Sequence, residues 1–204
     1  MSVMMPDECY GEDCNMSFTK LATARFSVRK YKNTPVEREK IISCLEAVRL
    51  TPSACNSQPW HFVVVDKPEE VAVLAEKTTL PLTKLNQFVK GSPVIVAIVA
   101  EKPNLSSDIG GMIKNKPYYL MDIGMAAEHF CLQAAEEGLG TCMLGWFNEK
   151  AVKKYLSVPT KRSIPLLITL GYPKRELPPN KTRAKLEDIF SFSKYRHLDS
   201  LVES

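Results

Sequence analysis

The segment Leu120–Glu137 sets the tightest limit on the fold. Its polar side chains Asp122, His129, Gln133 and Glu136 fall at helical spacing on one narrow stripe, and almost everything else is Leu, Met, Ile, Phe, Ala or Cys. Such a helix is buried nearly all round. In a chain of 204 residues it must run through the middle of the core or lie at a subunit interface. Gly138 and Gly140 end it.

The neighbouring segments supply partners for that helix. His61–Val65 (HFVVV) and Pro93–Ala100 (PVIVAIVA) read as strands, the second apolar on both faces and therefore central. Thr141–Leu144 and Leu166–Leu170 read as further strands. Thr34-Pro35-Val36-Glu37 predicts a helix start, with Thr34 as cap and Glu37 at the capping-box position. The helix that follows has Ile41, Cys44, Leu45 and Val48 on one face and ends near Leu50, because Pro52 disfavours helix at Thr51. Shorter helices are expected over Phe18–Ala24, Glu69–Lys77, Thr83–Lys90 and Glu149–Leu156. The mixture predicts an α+β layered domain. With no repeat, low-complexity tract or Gly/Ser linker, residues 17–204 are expected to form a single domain behind a poorly ordered leader, 1–16.

Several function classes are excluded. The longest apolar run, Val94–Ala100, is too short to cross a bilayer as a helix, which takes about 20 residues. The first 16 residues carry Asp7, Glu8, Glu12 and Asp13 but no Lys or Arg, unlike an export signal, so a cytoplasmic chain is expected. Six cysteines (9, 14, 44, 55, 131 and 142) contain no C-x-x-C pair, which argues against zinc and, with a cytoplasmic chain, for reduced thiols. Cys44 and Cys131 sit in apolar helical patterns as small buried hydrophobes.

Charge is distributed unevenly. Residues 17–40 hold 7 basic and 2 acidic side chains and residues 150–196 hold 12 and 3, whereas residues 41–149 hold 8 and 12. The two basic segments can meet in the fold as one anion site, or remain two solvated faces. Interleaved aromatic stacking positions are lacking, so a nucleic-acid module is not expected.

The chain has no G-x-S-x-G, no phosphate-binding G-x-x-x-x-G-K-[ST] and no H-E-x-x-H. Of its three histidines (61, 129 and 197), His129 reads as a hydrogen-bonded core residue. An enzyme built this way takes its chemistry from a bound cofactor. Four segments could hold one. In Arg25-Phe26-Ser27-Val28-Arg29, alternation puts two guanidinium forks and a hydroxyl on one side, a receptor for a phosphate dianion. Thr51–Trp60 (TPSACNSQPW) is a rigid polar loop. Its Asn56 and Gln58 can read the edge of a planar heterocycle, and Trp60 would anchor it in the core. From Gly138 to Phe147 (GLGTCMLGWF), Gly140 and Gly145 allow close backbone approach to a ligand, and the apolar residues between them would cover a flat ring. Arg183 and Lys185 form a late basic pair that could complete a phosphate site.

These four segments, in this order, resemble the FMN-dependent nitroreductase family. R-x-S-x-R and P-S-x-x-N-S-Q-P-W-H-F carry the resemblance in combination, with D-I-G-M-A-A-E-H-F and G-x-G-T-C in support, over Phe18 to Ile189. It implies a central, mainly antiparallel sheet flanked by helices, and a homodimer with flavin sites at the subunit interface, the apolar helix serving as dimer core. It also implies FMN as cofactor and NADH or NADPH as electron donor. A nitroaromatic, quinone or similar acceptor would then be reduced in ping-pong order through flavin N5, without a catalytic side chain. Arg25, Ser27 and Arg29 would bind the FMN phosphate and ribityl chain, with Phe26 counted among the cofactor-binding positions. Arg183 and Lys185 would add to the phosphate site, with Lys181 as a rival. Pro52, Ser53, Ala54 and Asn56 would reach the flavin from the other subunit, Ala54 standing where the family often has a hydroxyl. The backbone at Leu144 and Gly145 would approach N5, and Gln58 would support its loop. Residues 101–116 are where substrate selection is expected. The same fold also hosts dehalogenation, and a flavin-binding storage or sensing protein with little turnover is the alternative outside the enzyme class.

Overall fold

A strand with no polar alternation has to be covered on both faces, and Val94–Ala100 is. In the computed structural model, which describes residues 17–80, 85–101, 116–175 and 180–195, it is one of four strands. These are β1 (Trp60–Val65), β2 (Val94–Ala100), β3 (Gly140–Leu144) and β4 (Leu166–Gly171). They form an antiparallel sheet in the order β1-β2-β4-β3. Ile98 pairs with Phe62 on one side of β2 and with Leu166 on the other.

Five α-helices are described: α1 (Phe18–Ala24), α2 (Arg38–Arg49), α3 (Pro68–Thr78), α4 (Tyr118–Glu136) and α5 (Glu149–Tyr155). Alternation along β2 divides the core between them. Val94, Val96, Ile98 and Ala100 join Ile41, Cys44 and Val48 of α2 and Ile123, Ala127 and Phe130 of α4. Ile95, Ala97 and Val99 face Val71 and Leu74 of α3 and Val152 of α5 on the other side. The Phe62 and Phe130 rings stack with centroids 5.9 Å apart. This is the expected α+β architecture with a sheet between helical layers.

Four expectations need correction. The first helix turn after Pro35 begins at Arg38, with Glu37 as N-cap and no side-chain capping bond. The Glu37 carboxylate instead accepts the Tyr172 hydroxyl at 2.7 Å, which removes it from a capping box. The helix expected over Thr83–Lys90 is a short 3-10 turn, Gln87–Gly91, with Thr83 and Lys84 outside the described residues. Most informative is α4. It begins at Tyr118 rather than Leu120 and is not buried all round: Leu120, Met121 and Met125 are exposed, at 43%, 54% and 38%. Spacing puts this apolar stripe on one face, so in the single chain α4 has a side without a core to bury it. His129, half-buried, has Nδ1 3.0 Å from the Met125 carbonyl oxygen, hydrogen-bonded as expected but not in the core.

No helix among the described residues is long and apolar enough to cross a membrane. Residues 1–16, expected as a leader, and 102–115, most of the expected substrate-selecting segment, lie outside the described residues.

Candidate cofactor-binding site

At the end of α1 the backbone turns extended at Arg25, and the chain then lies along the outer edge of β3. Val28 N–H donates to the Thr141 carbonyl at 2.8 Å, and Val28 itself is buried. The Tyr31 hydroxyl fixes the far end, donating to the Val28 carbonyl at 2.7 Å and lying 2.6 Å from Thr169 Oγ1. Burial pushes the Tyr31 phenol above its ordinary range, so it stays a neutral donor. With Val28 turned inward, the alternate residues Ser27 and Arg29 are exposed, while Arg25 and Phe26 are half-buried.

The two arginines have different partners. Arg25 Nε lies 3.1 Å from Glu128 Oε1 of α4. The Arg29 guanidinium lies over the Phe88 ring, 5.8 Å from its centroid. What gathers around Arg25 is the late basic segment. Lys181 Nζ donates to the Ala22 carbonyl at 2.9 Å and also to the Arg25 carbonyl. Partial burial, then repulsion from Arg25 and Arg183, lowers the Lys181 ammonium below the usual lysine value, with Glu128 opposing. Three cations therefore share a neighbourhood with one carboxylate, which leaves a net positive site for an anion. The two distant basic segments do meet. Lys185, by contrast, caps the 3-10 turn Leu186–Asp188 and has no described contact with this cluster.

Arg29 also lines a cleft of about 520 Å³, together with Phe88, Cys142, Leu144, Gly145 and Trp146. That volume suits a small-molecule site. Gly145 is exposed in this lining, and among the described residues a Cβ there would come within 4 Å of Leu166 Cδ2 alone, at 3.8 Å, so the position is uncrowded. Gly140 behaves differently. The space beside it is filled by Val28, not left for a ligand, which corrects the sequence expectation for that glycine. Burial raises the Cys142 thiol, while Arg29 and a hydrogen bond with Ser27 work against it.

The polar loop lies elsewhere on α4. Ala54 N–H donates to Asp122 Oδ1 at 3.1 Å. Pro52 and Asn56 are exposed, Ser53 is half-buried, and Trp60 is half-buried against the core cluster of α2 and α4. Gln58 Nε2 donates to Asn56 Oδ1 at 3.1 Å, so these amides hold each other. Asp122 and Glu128 are six residues apart on α4, about 9 Å along the axis and roughly 120° around it. The loop and the cation cluster thus sit on different sides of one helix. Sequence reasoning passed over Glu128, Phe88 and the carboxylate of Asp122. Their one signal was the rarity of acidic residues in an apolar helix, and Phe88 carried none.

Residues 22–172 match the model of the nitroreductase family. The chain belongs to that family. It is 31% identical to a nitroreductase family protein from Clostridium novyi, covering 78% of this chain and 86% of that one, with a TM-score of 0.68. The structure of an FMN-dependent nitroreductase from Clostridium difficile is 28% identical, with coverage of 86% and 98% and a TM-score of 0.67. An NADH dehydrogenase from Thermus thermophilus is 26% identical over 76% of this chain and 86% of its own length. As a nitroreductase family member the chain carries a site that fits FMN. The cations around Arg25 suit a phosphate dianion, and the open cleft wall at Gly145 admits a flat ring.

Proposed function

We propose that this chain is an FMN-dependent oxidoreductase that takes electrons from NADH or NADPH and delivers them to a nitroaromatic, quinone or similar acceptor in ping-pong order. The cluster of Arg25, Lys181 and Arg183 at one end of an extended segment whose other arginine lines an open cleft carries this reading. Bound there, FMN would supply the hydride-accepting atom and the redox couple.

The chain's own residues bind, orient and shield. Arg25, Lys181 and Arg183 neutralise the phosphate, and the Ser27 hydroxyl adds a donor or acceptor beside it. Leu144 and Gly145 offer backbone at the cleft wall, and at Gly145 no Cβ intervenes. Burial raises the Cys142 thiol in the cleft, which disfavours the nucleophilic thiolate. Arg29 puts fixed positive charge on the cleft, which favours an anionic reduced cofactor. Pro52, Ser53, Ala54 and Asn56 complete the site from a second copy of the chain. The exposed apolar stripe of α4 supports that part of the reading, because it needs a partner surface.

The visible absorbance of purified protein tests this, before and after anaerobic addition of NADH and then NADPH, followed by a nitroaromatic acceptor. A flavin band that bleaches with one donor and returns with the acceptor is expected. A band that neither donor bleaches refutes the reductase, and a protein that takes up no FMN refutes the site.

A further inference from the structure

We propose that Asp122 is the positioning residue of the flavin site, holding the Ser53–Asn56 loop in a conformation that the loop would not keep alone. This rests on the flavin reading above and adds to it a residue that touches neither cofactor nor substrate.

The loop is strained. Cys55 and Asn56 both have φ of 51° and Gln58 has 46°, so three non-glycine residues within four positions are left-handed. Backbone of this kind persists only where its surroundings over-determine it, and it gathers at functional sites. Bonds within the loop contribute: Ser53 Oγ accepts Gln58 N–H at 2.9 Å, Asn56 N–H donates to the Ser53 carbonyl at 3.0 Å, and Ser57 N–H donates to the Ala54 carbonyl at 3.0 Å. These close the loop on itself. The bond from Ala54 N–H to Asp122 Oδ1 is of another kind, because it fastens the loop to α4.

Asp122 is an expensive way to make one hydrogen bond. It is 3% exposed in a helix otherwise lined with Ile123, Ala126, Ala127 and Phe130, and its Oδ2 is buried without a hydrogen-bond partner among the described residues. An apolar side chain there would be buried at no desolvation cost. A half-satisfied buried carboxylate breaks the local pattern, and such breaks are expected where function sets the residue. An acceptor within reach of the Ala54 amide is the property that an apolar residue cannot supply.

The test compares Asp122→Asn, which keeps the Oδ1 acceptor, with Asp122→Ala and Asp122→Ser, which cannot reach the amide. Amide exchange of Ala54 in the flavin-free protein reads the clamp. It should speed up by about tenfold in the Ala and Ser variants and stay near wild type in the Asn variant. FMN affinity and the visible circular dichroism of bound flavin read its use. Binding should weaken by about tenfold with a changed dichroic band in Ala and Ser, and recover in Asn. If Asp122→Ala alone fails to fold, Asp122→Ser against Asp122→Asn decides. Unchanged Ala54 exchange, or faster exchange with unaltered FMN affinity and dichroism, overturns the proposal, as does an Asn variant that fails to recover. A wild-type protein that binds no FMN overturns the functional reading and with it the flavin role, while the exchange data still decide the clamp.

Discussion

Val28 occupies the space that a Cβ on Gly140 would need: that atom would overlap Val28 Cγ2 and lie 2.9 Å from Val28 Cβ. The edge of β3 and the extended segment Arg25–Tyr31 therefore approach as closely as backbone allows. The glycine is required by the protein's own packing, and through it by the placement of Arg25, Ser27 and Arg29.

Gly140→Ala should accordingly destabilise the fold by about 1–3 kcal/mol, the usual cost of overpacking. The clash includes Val28 Cβ, which no rotamer change moves, and the Val28 backbone is held by its hydrogen bond to Thr141. Adding Val28→Ala should recover part of the loss. Denaturant unfolding of the two single variants and the double variant measures the coupling, and strict additivity would refute the contact.

Arg25→Ala should lose FMN while the fold survives. Its bridge to Glu128, whose side chain is 44% exposed, is of the class worth about 0–1 kcal/mol. A charge-assisted bond to phosphate is worth about 1.5–3 kcal/mol, roughly a 10- to 150-fold change in affinity. Flavin occupancy and thermal melting, measured on one preparation, separate the two effects. Full occupancy would overturn the phosphate assignment.

Lys181 predicts a pH dependence of FMN binding. Its ammonium is lowered in the flavin-free protein by burial and by Arg25 and Arg183, and a phosphate dianion draws it back up. Between those two values binding takes up a proton, so affinity is flat below the lower one and falls as pH rises through it. On the acid side, affinity falls as the phosphate gains its second proton near a pH of about 6. Lys181→Met should abolish the alkaline limb and leave the acid limb. Fluorescence titration of FMN across pH follows both.

The thiols should differ sharply in reactivity. Burial pushes the Cys44 and Cys131 thiols up to about 12, and both side chains are buried. Cys55, in the polar loop, is exposed. Among the described cysteines, iodoacetamide at neutral pH should modify Cys55 first, and FMN should slow that reaction if the loop faces the flavin. Peptide mass spectrometry with and without FMN gives the answer.

The parts of this structure legible in the sequence were those governed by periodicity. β2 is apolar at every position and can only be central, and Ile41, Cys44 and Val48 repeat with the helix, so both elements follow from local pattern. The capping box failed because Glu37 found Tyr172, a partner 135 residues away that no local rule can see. Gly140 was legible as a position of close approach, but the approaching group was Val28 of a distant segment and not a ligand. Lys181 and Arg25 were visible as basic residues; that they share one site is a property of tertiary placement. The buried Asp122 was read as one member of a polar stripe, because spacing gives a direction around the helix and not what waits there.

Burial of α4 nearly all round, in the core or at a subunit interface, was expected, and the exposed stripe of Leu120, Met121 and Met125 leads to the last prediction. If this stripe meets its symmetry mate, a lysine at Met121 places a charge in an apolar interface without disturbing the core of its own chain, since Met121 is 54% exposed. Met121→Lys should therefore yield a folded monomer by light scattering, with circular dichroism unchanged. The cation cluster and the loop lie roughly 120° apart around α4, so the monomer should hold the phosphate end of FMN but lack the loop contributed by the partner. Its FMN affinity should drop by at least about tenfold and recover at protein concentrations that restore the dimer. A monomeric variant that keeps full flavin would show that one chain builds the whole site, and the cross-subunit role of Pro52 to Asn56 would fall.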